Sequence, residues 1–199
     1  VNFLSSIRDM MLGSSSSKLN LSVKWDGAPA VFCGTNPENG KFFVGSKSIF
    51  NVTPKINYTN RDIDRNHGGG LADRLKVCLK YLPRLGIRGV VQGDLLFVPG
   101  DIKGVTIHGE KAIAFKPNTI TYAVPQNSPL ARRILNAKLG IIFHTSYSGS
   151  SMSKLKANFG VNVRSFNKST AVFFDDASYK DTSGVASFTS AESDSYDAQ

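Results

Sequence analysis

Two cysteines, three histidines and one tryptophan are few for 199 residues, and each scarcity closes off a class of protein. Cys33 and Cys78 stand far apart among apolar neighbours, with no C-x-x-C pair. That spacing excludes a disulfide scaffold and a cysteine-built zinc site, and it predicts two buried thiols in a reducing compartment. Acidic residues are also short, 15 Asp+Glu against 24 Lys+Arg, for a formal net charge of +9. Such a surplus favours polyanionic partners, nucleic acid first, because neutralising phosphates releases counterions. No run approaches the roughly 18 apolar residues of a membrane span, so no membrane partner is expected. The N-terminus has neither the basic segment nor the apolar stretch of a secretory signal, and a cytoplasmic monomer is the expectation. What is present is 41% hydrophobic residues, enough to bury a core in one domain with an appendage.

Apolar spacing lays out the elements. Phe3, Leu4, Ile7 and Met11 predict a helix over 2–12, ended by Gly13 and a serine run. Residues 19–33 predict two strands broken by Asp26-Gly27-Ala28-Pro29. Segments 29–34 and 41–46 predict a hairpin about Asn36-Pro37-Glu38-Asn39-Gly40. Residues 52–70 are polar and predict a long exposed loop. Leu71, Leu75, Cys78, Leu79 and Leu82 mark a helix, and Val90 to Phe97 a dense strand. Further strands are expected near 111–116, 119–124 and 141–146. Ser128-Pro129 opens a helix expected to run to Gly140. One more apolar stretch falls at 171–174, and the Ser-, Asp- and Ala-rich end predicts a domain over 1–185 with a poorly ordered tail, 186–199. Strands with interspersed helices and no strict βαβ alternation predict an α+β fold with mainly antiparallel sheets.

The most informative segment is Lys24-Trp25-Asp26-Gly27, a lysine at the end of the apolar run Leu21-Ser22-Val23 and before a tight turn. A free lysine has a pKa near 10.4, so only about one in two thousand is neutral at pH 7. Desolvation, or neighbouring cations such as Lys47 and Lys116, would free its lone pair for attack on phosphorus. Asp26 is spaced to contact a nucleotide or orient the lysine, and Gly27 lets backbone approach a ligand closely. Turn chemistry alone would also select Asp-Gly after a solvated lysine.

Lys24-Trp25-Asp26-Gly27 resembles the first motif of the covalent nucleotidyltransferases: ATP- and NAD-dependent DNA ligases, RNA ligases and mRNA capping enzymes. The resemblance implies an ATP-grasp-like nucleotidyltransferase fold and a lysine that forms a phosphoramide with a nucleoside monophosphate. The implied donor is ATP, with GTP or NAD possible, assisted by Mg2+ or Mn2+. Phe43-Val44-Gly45-Ser46-Lys47-Ser48 resembles the strand carrying a phosphate-contacting basic residue, Lys47. Val91-Gln92-Gly93-Asp94-Leu95-Leu96-Phe97 resembles the third motif, with Asp94 in place of the usual Glu, near ribose or metal. Ile120-Thr121-Tyr122-Ala123-Val124 resembles the later strand whose aromatic, here Tyr122, lies beside the base. Trp25, Asp26, Gly27 and Lys116 complete the implied nucleotide site. The longer string Lys24 to Phe32, with Gln92-Gly93-Asp94 and Pro117-Asn118-Thr119-Ile120, is similar to uncharacterised proteins of large tailed phages, which implies a host-cell cytoplasm. The later Glu-Gly and Lys-x-Lys strands have no counterpart in 150–199, and the expectation is a chain that stops before them, the alternative being a degenerate domain. The implied activity is ligase-like action on RNA or DNA ends; the alternative is a non-catalytic nucleotide- or nucleic-acid-binding module that retains the fold.

Other residues invite competing readings. Asp62, Asp64 and His67 fall within six positions without calcium-loop spacing, and a solvated loop is expected. His144 is expected to end its strand; its functional reading is a cleft-facing phosphate contact. Phe42, Phe43, Phe50 and Tyr58 interleave with Lys41, Lys47 and Lys55, a mixture suited to bases and phosphates but found more often in cores. Asp175-Asp176 is expected in a turn after the last strand.

Overall fold

The computed structural model describes residues 25–177, together with 194 and 195. The expected helix over 2–12, the strand leading to Lys24, Lys24 itself and the rest of the C-terminal tail lie outside the described residues. The described part is α+β with mainly antiparallel sheets.

Alternation in three strands organises the larger sheet. β1 (Ala30–Thr35) and β2 (Phe42–Gly45) form the expected hairpin, with Phe32 opposite Gly45. β3 (Val90–Phe97) pairs antiparallel with β1, bringing Asp94 level with Ala30. Beyond it, β7 (Leu139–Ser148) pairs antiparallel with β3. The ten residues of β7 then serve two partners along one edge. Ser146–Ser148 pairs with β8 (Lys156–Phe159), and Leu139–Phe143 pairs in parallel with β9 (Val172–Asp176). β4 (Lys103–Ile107), β5 (Glu110–Phe115) and β6 (Tyr122–Pro125) make a separate three-stranded antiparallel sheet.

Since side chains alternate across a strand, the two faces of the large sheet carry different cores. Val31, Cys33, Val91, Leu95, Ile141 and Phe143 share one cluster with Ala72, Leu75 and Cys78 of helix α2 (Gly69–Tyr81). The alternate residues divide into two clusters. Leu96 and Ile142 join Ile113 and Phe115 of β5 and Ala131 and Ile134 of helix α3 (Pro129–Asn136). Phe32, Phe43 and Val90 join Ile49 and Met152. Each fully buried Leu, Ile or Phe contributes about 1.5–3 kcal/mol, so both faces hold the sheet. Both cysteines are free and fully buried in the first cluster. Burial pushes the Cys78 thiol up to about 12 and raises Cys33 as well, the neighbouring Cys78 adding to the effect, so neither is a nucleophile.

Several sequence expectations are corrected. Residues 52–70 are no loop: helix α1 (Asn60–Asn66) occupies their centre. A capping box starts it, with Thr59 Oγ1 accepting from the Asp62 N–H and the Asp62 carboxylate accepting from the Thr59 N–H. Only one buried apolar residue, Ile63, anchors this helix, so its periodicity is invisible. Helix α3 stops at Asn136, not at Gly140. Ala137 is buried, the Lys138 N–H donates to Ala171 O, and the chain is already in β7 at Gly140. A Cβ at Gly140 would lie 2.2 Å from the Phe97 ring, so this glycine serves packing and not a cap. The strand holding His144 runs on to Ser148. Asp175 and Asp176 are the last residues of β9, not a turn. β4 and β8 were not foreseen, and both are largely exposed strands without a strong apolar signal.

Candidate active site

Trp25-Asp26-Gly27 is anchored from three sides. The Trp25 ring stacks on Tyr122 at 5.4 Å between centroids, and Tyr122 stacks in turn on Phe115 at 5.5 Å. The Tyr122 hydroxyl accepts from the Asp26 N–H at 2.7 Å. Asp26 also binds the loop over 116–121: its carboxylate accepts from the Asn118 side-chain amide at 2.8 Å and from the backbone N–H groups of Thr119 and Ile120, the latter at 2.6 Å. Charge-assisted bonds of this kind are about twice as strong as neutral ones. Asp26 therefore holds a loop in place, whatever else it touches. The indole N–H of Trp25 is buried and finds no acceptor among the described residues, an unusual state for that donor.

Gly27 has a different use from the one its flexibility suggests. A Cβ there would lie 2.5 Å from Asp94 Cβ and 3.1 Å from Leu95 O. Glycine is needed so that the turn can lie directly on β3. Two backbone bonds complete the contact, Ala28 N–H to Leu95 O and Leu95 N–H to Pro29 O, each 3.0 Å. The chain just after Lys24 is thereby laid against Asp94, an arrangement that spacing alone does not reveal.

Asp94 lies on the face between the two apolar clusters, on a polar strip with Gln92, His144 and Thr145. A register shift where β3 passes Gln92 and Gly93 makes a bulge at His144. Bulges re-aim side chains and are common beside active sites. This one puts His144 Nε2 3.5 Å from Asp94 Oδ1, while His144 Nδ1 lies 2.8 Å from Thr145 Oγ1. Gln92 accepts from the Tyr147 hydroxyl at 2.8 Å, and burial raises the pKa of that phenol. Tyr147, Phe32 and the half-exposed Phe50 form an aromatic group at this end of the strip. The neighbours of β3 in the sheet are thus β1 and β7, the latter carrying His144, whereas Tyr122 belongs to the smaller sheet.

The sequence signature of a family of unknown function, DUF6267, matches residues 1–199. The chain belongs to that family. No curated protein and no solved structure matches it.

The two remaining expected site residues of this DUF6267 chain are exposed lysines. Lys47 opens a 3-10 turn, Lys47–Phe50, two residues beyond Gly45 on the Asp94 side of the sheet, and it is exposed. Lys116, also exposed, begins the loop that Asp26 holds and lines a cleft with Asp101, Lys103 and Thr121. Of the Phe/Tyr–Lys mixture, Phe43 is fully buried, Phe42 and Tyr58 are partly buried against core clusters, and Phe50 is the exposed ring. Asp62 caps α1 and pairs with Arg65, and Asp64 pairs with Lys76. His67 Nε2 lies 3.2 Å from the amide of buried Asn57. These three residues are engaged in structure. The polar pair His144-Thr145, following three apolar residues, was the one sequence signal for the bulge.

Proposed function

We propose that the chain is a covalent nucleotidyltransferase domain of the ligase and capping-enzyme type, in which Lys24 accepts a nucleoside monophosphate and passes it to a nucleic-acid 5′ end. What supports this reading is the seating of the Trp25-Asp26-Gly27 turn on Asp94, which joins two segments that resemble the superfamily's first and third motifs.

In the first step the neutral Lys24 amine attacks the α-phosphorus of ATP. A P–N bond forms, the bond to the pyrophosphate oxygen breaks, pyrophosphate leaves, and the surplus amine proton passes to solvent. GTP would react in the same way, and NAD would release nicotinamide mononucleotide. In the second step a 5′-phosphate oxygen attacks the same phosphorus, the P–N bond breaks, and the leaving amine takes up a proton from solvent to restore the lysine. The Asp26-held loop would fix the shape of the donor site, and Lys47 and Lys116 would offset phosphate charge. Mg2+ or Mn2+ would supply charge neutralisation at the phosphates. Asp94 is the residue that would hold the ion: among the described residues its one polar partner is His144 at 3.5 Å, which leaves oxygens for a ligand. A single carboxylate fits, since Mg2+ commonly takes one or two, with phosphates and water completing its shell.

Intact-protein mass after incubation with ATP, GTP or NAD and Mg2+ or Mn2+ tests this. The expected result is a gain of one nucleoside monophosphate, lost in Lys24→Ala and formed about a hundredfold more slowly in Asp94→Asn. No adduct with any donor, on this chain or a longer natural form, would leave the non-catalytic binding module.

A further inference from the structure

Away from Asp94, a groove of about 660 Å³ runs between helix α3 and the segment 163–175. Its floor is apolar and aromatic, with Phe166 and Phe173 among its lining residues. Its rim is cationic: Arg133 from α3, Arg164 from a 3-10 turn and Lys168 from the loop before β9, against one carboxylate, Asp175. All three cations are exposed. The Lys and Arg ion pairs among the described residues use other cations: Arg65, Arg74 and Lys76. The three exposed rim charges therefore have no carboxylate partner among the described residues. The Arg133 guanidinium lies over the Phe173 ring, 5.3 Å from its centroid. That contact keeps a planar cation beside an aromatic ring, and the exposed Arg133 remains accessible to a stacked base.

We propose that this groove binds single-stranded nucleic acid, with phosphates along the Arg133, Arg164 and Lys168 rim and unpaired bases toward the aromatic floor. The combination is the one single-strand sites use, a positive track beside surfaces on which bases stack in any sequence. A duplex hides its base faces in its own stack and would meet the rim alone. The overall charge of +9 draws a strand to the protein, and the groove gives it a place to lie. The groove needs no chemistry at Lys24, so the two proposals fail separately.

The test is fluorescence anisotropy of a labelled single-stranded 12-mer and of its duplex, as a function of salt. The wild-type chain is expected to bind the single strand more tightly than the duplex. Arg133→Gln/Arg164→Gln/Lys168→Gln should weaken single-strand binding at least tenfold near 0.1 M salt. It should also flatten the log–log salt dependence by about 2, from three lost phosphate contacts. Arg133→Lys keeps the charge but not the planar face; it should cost about threefold with the salt slope unchanged. Lys24→Ala should bind as the wild type does. Unchanged affinity and slope in the triple variant would overturn the proposal. So would equal binding of duplex and single strand, or displacement of the strand by inorganic polyphosphate at matched charge, each of which would reduce the groove to a general anion surface. Thermal melts of the variants confirm the fold, and Arg133→Lys gives a reading even if the triple variant is unstable.

Discussion

At Gly27 a single hydrogen atom decides whether the turn after Lys24 can touch β3. The space that a methyl group would need is filled by Asp94 Cβ at 2.5 Å, with backbone close behind. Backbone at that depth cannot move aside as a flexible side chain can. Gly27→Ala should therefore cost about 1–3 kcal/mol, the usual range for overpacking, read as a lower urea midpoint with an unchanged m-value. If the proposed chemistry holds, adduct formation should fall further than stability does, because the turn next to Lys24 would be lifted off Asp94. An alanine variant as stable as the wild type would show that the close approach is not needed. Asp26 illustrates the other side of the residue scale. Its spacing suggested a nucleotide contact or a role in orienting the lysine; among the described residues its carboxylate also accepts from the Asn118, Thr119 and Ile120 donors. Sequence shows the acceptor; only the fold shows which donors reach it.

Among the elements, helix α1 depends most on local chemistry. Its seven residues bury little beyond Ile63, so the Thr59–Asp62 capping box supplies much of its support. Thr59→Ala removes the bond to the Asp62 N–H and should destabilise the domain by about 1 kcal/mol, seen as faster amide exchange over 60–66 before the rest. Uniform protection in the variant would show that packing alone keeps the helix. Strand β7 shows the opposite dependence. Its apolar core, Ile141 to Phe143, is plain in the sequence, but its length and the bulge at His144 come from pairing with β3, β8 and β9. A run of alternating residues cannot announce where a partner will slip by one position. The helix at 129–136 was legible at its start, where Ser128 caps and Pro129 occupies the first turn. Its end was not, because the buried Ala137 and the Lys138–Ala171 bond turn the chain into a strand before Gly140 is reached.

For the whole molecule, charge sets the response to pH. Arg74 of α2 grips Asp101, beyond the end of β3, through two bonds of 2.7 and 2.9 Å. Burial pushes the Asp101 carboxyl up, but the Arg74 bonds, the Val98 N–H and the guanidinium charge outweigh it and hold the pKa below 3.8. A depressed carboxylate stabilises fully above its unfolded value and loses that contribution as pH falls through the folded one. His67 is lowered by burial and then by Lys55, so its protonation opposes folding in a higher window, as pH drops below 6.5. Urea midpoints should thus decline in two stages, gently below pH 6.5 and steeply below about pH 4. Asp101→Asn should lower neutral-pH stability by about 1 kcal/mol, discounted for its partial exposure, and shrink the acid stage. An acid limb identical to the wild type's would remove Asp101 from the account.

Composition, turn chemistry and apolar spacing were sufficient for the class of fold, the β1–β2 hairpin, helix α2, strand β3 and the buried state of both cysteines. Each rests on interactions between residues close in sequence, or on hydrophobicity, which needs no partner to be recognised. The polar strip of Gln92, Asp94 and His144, the three-stranded sheet and the basic groove beside α3 were decided by tertiary structure. They depend on which strands become neighbours and in what register, and pairing between distant segments is set by the packing of the whole core, not by any one segment's residues.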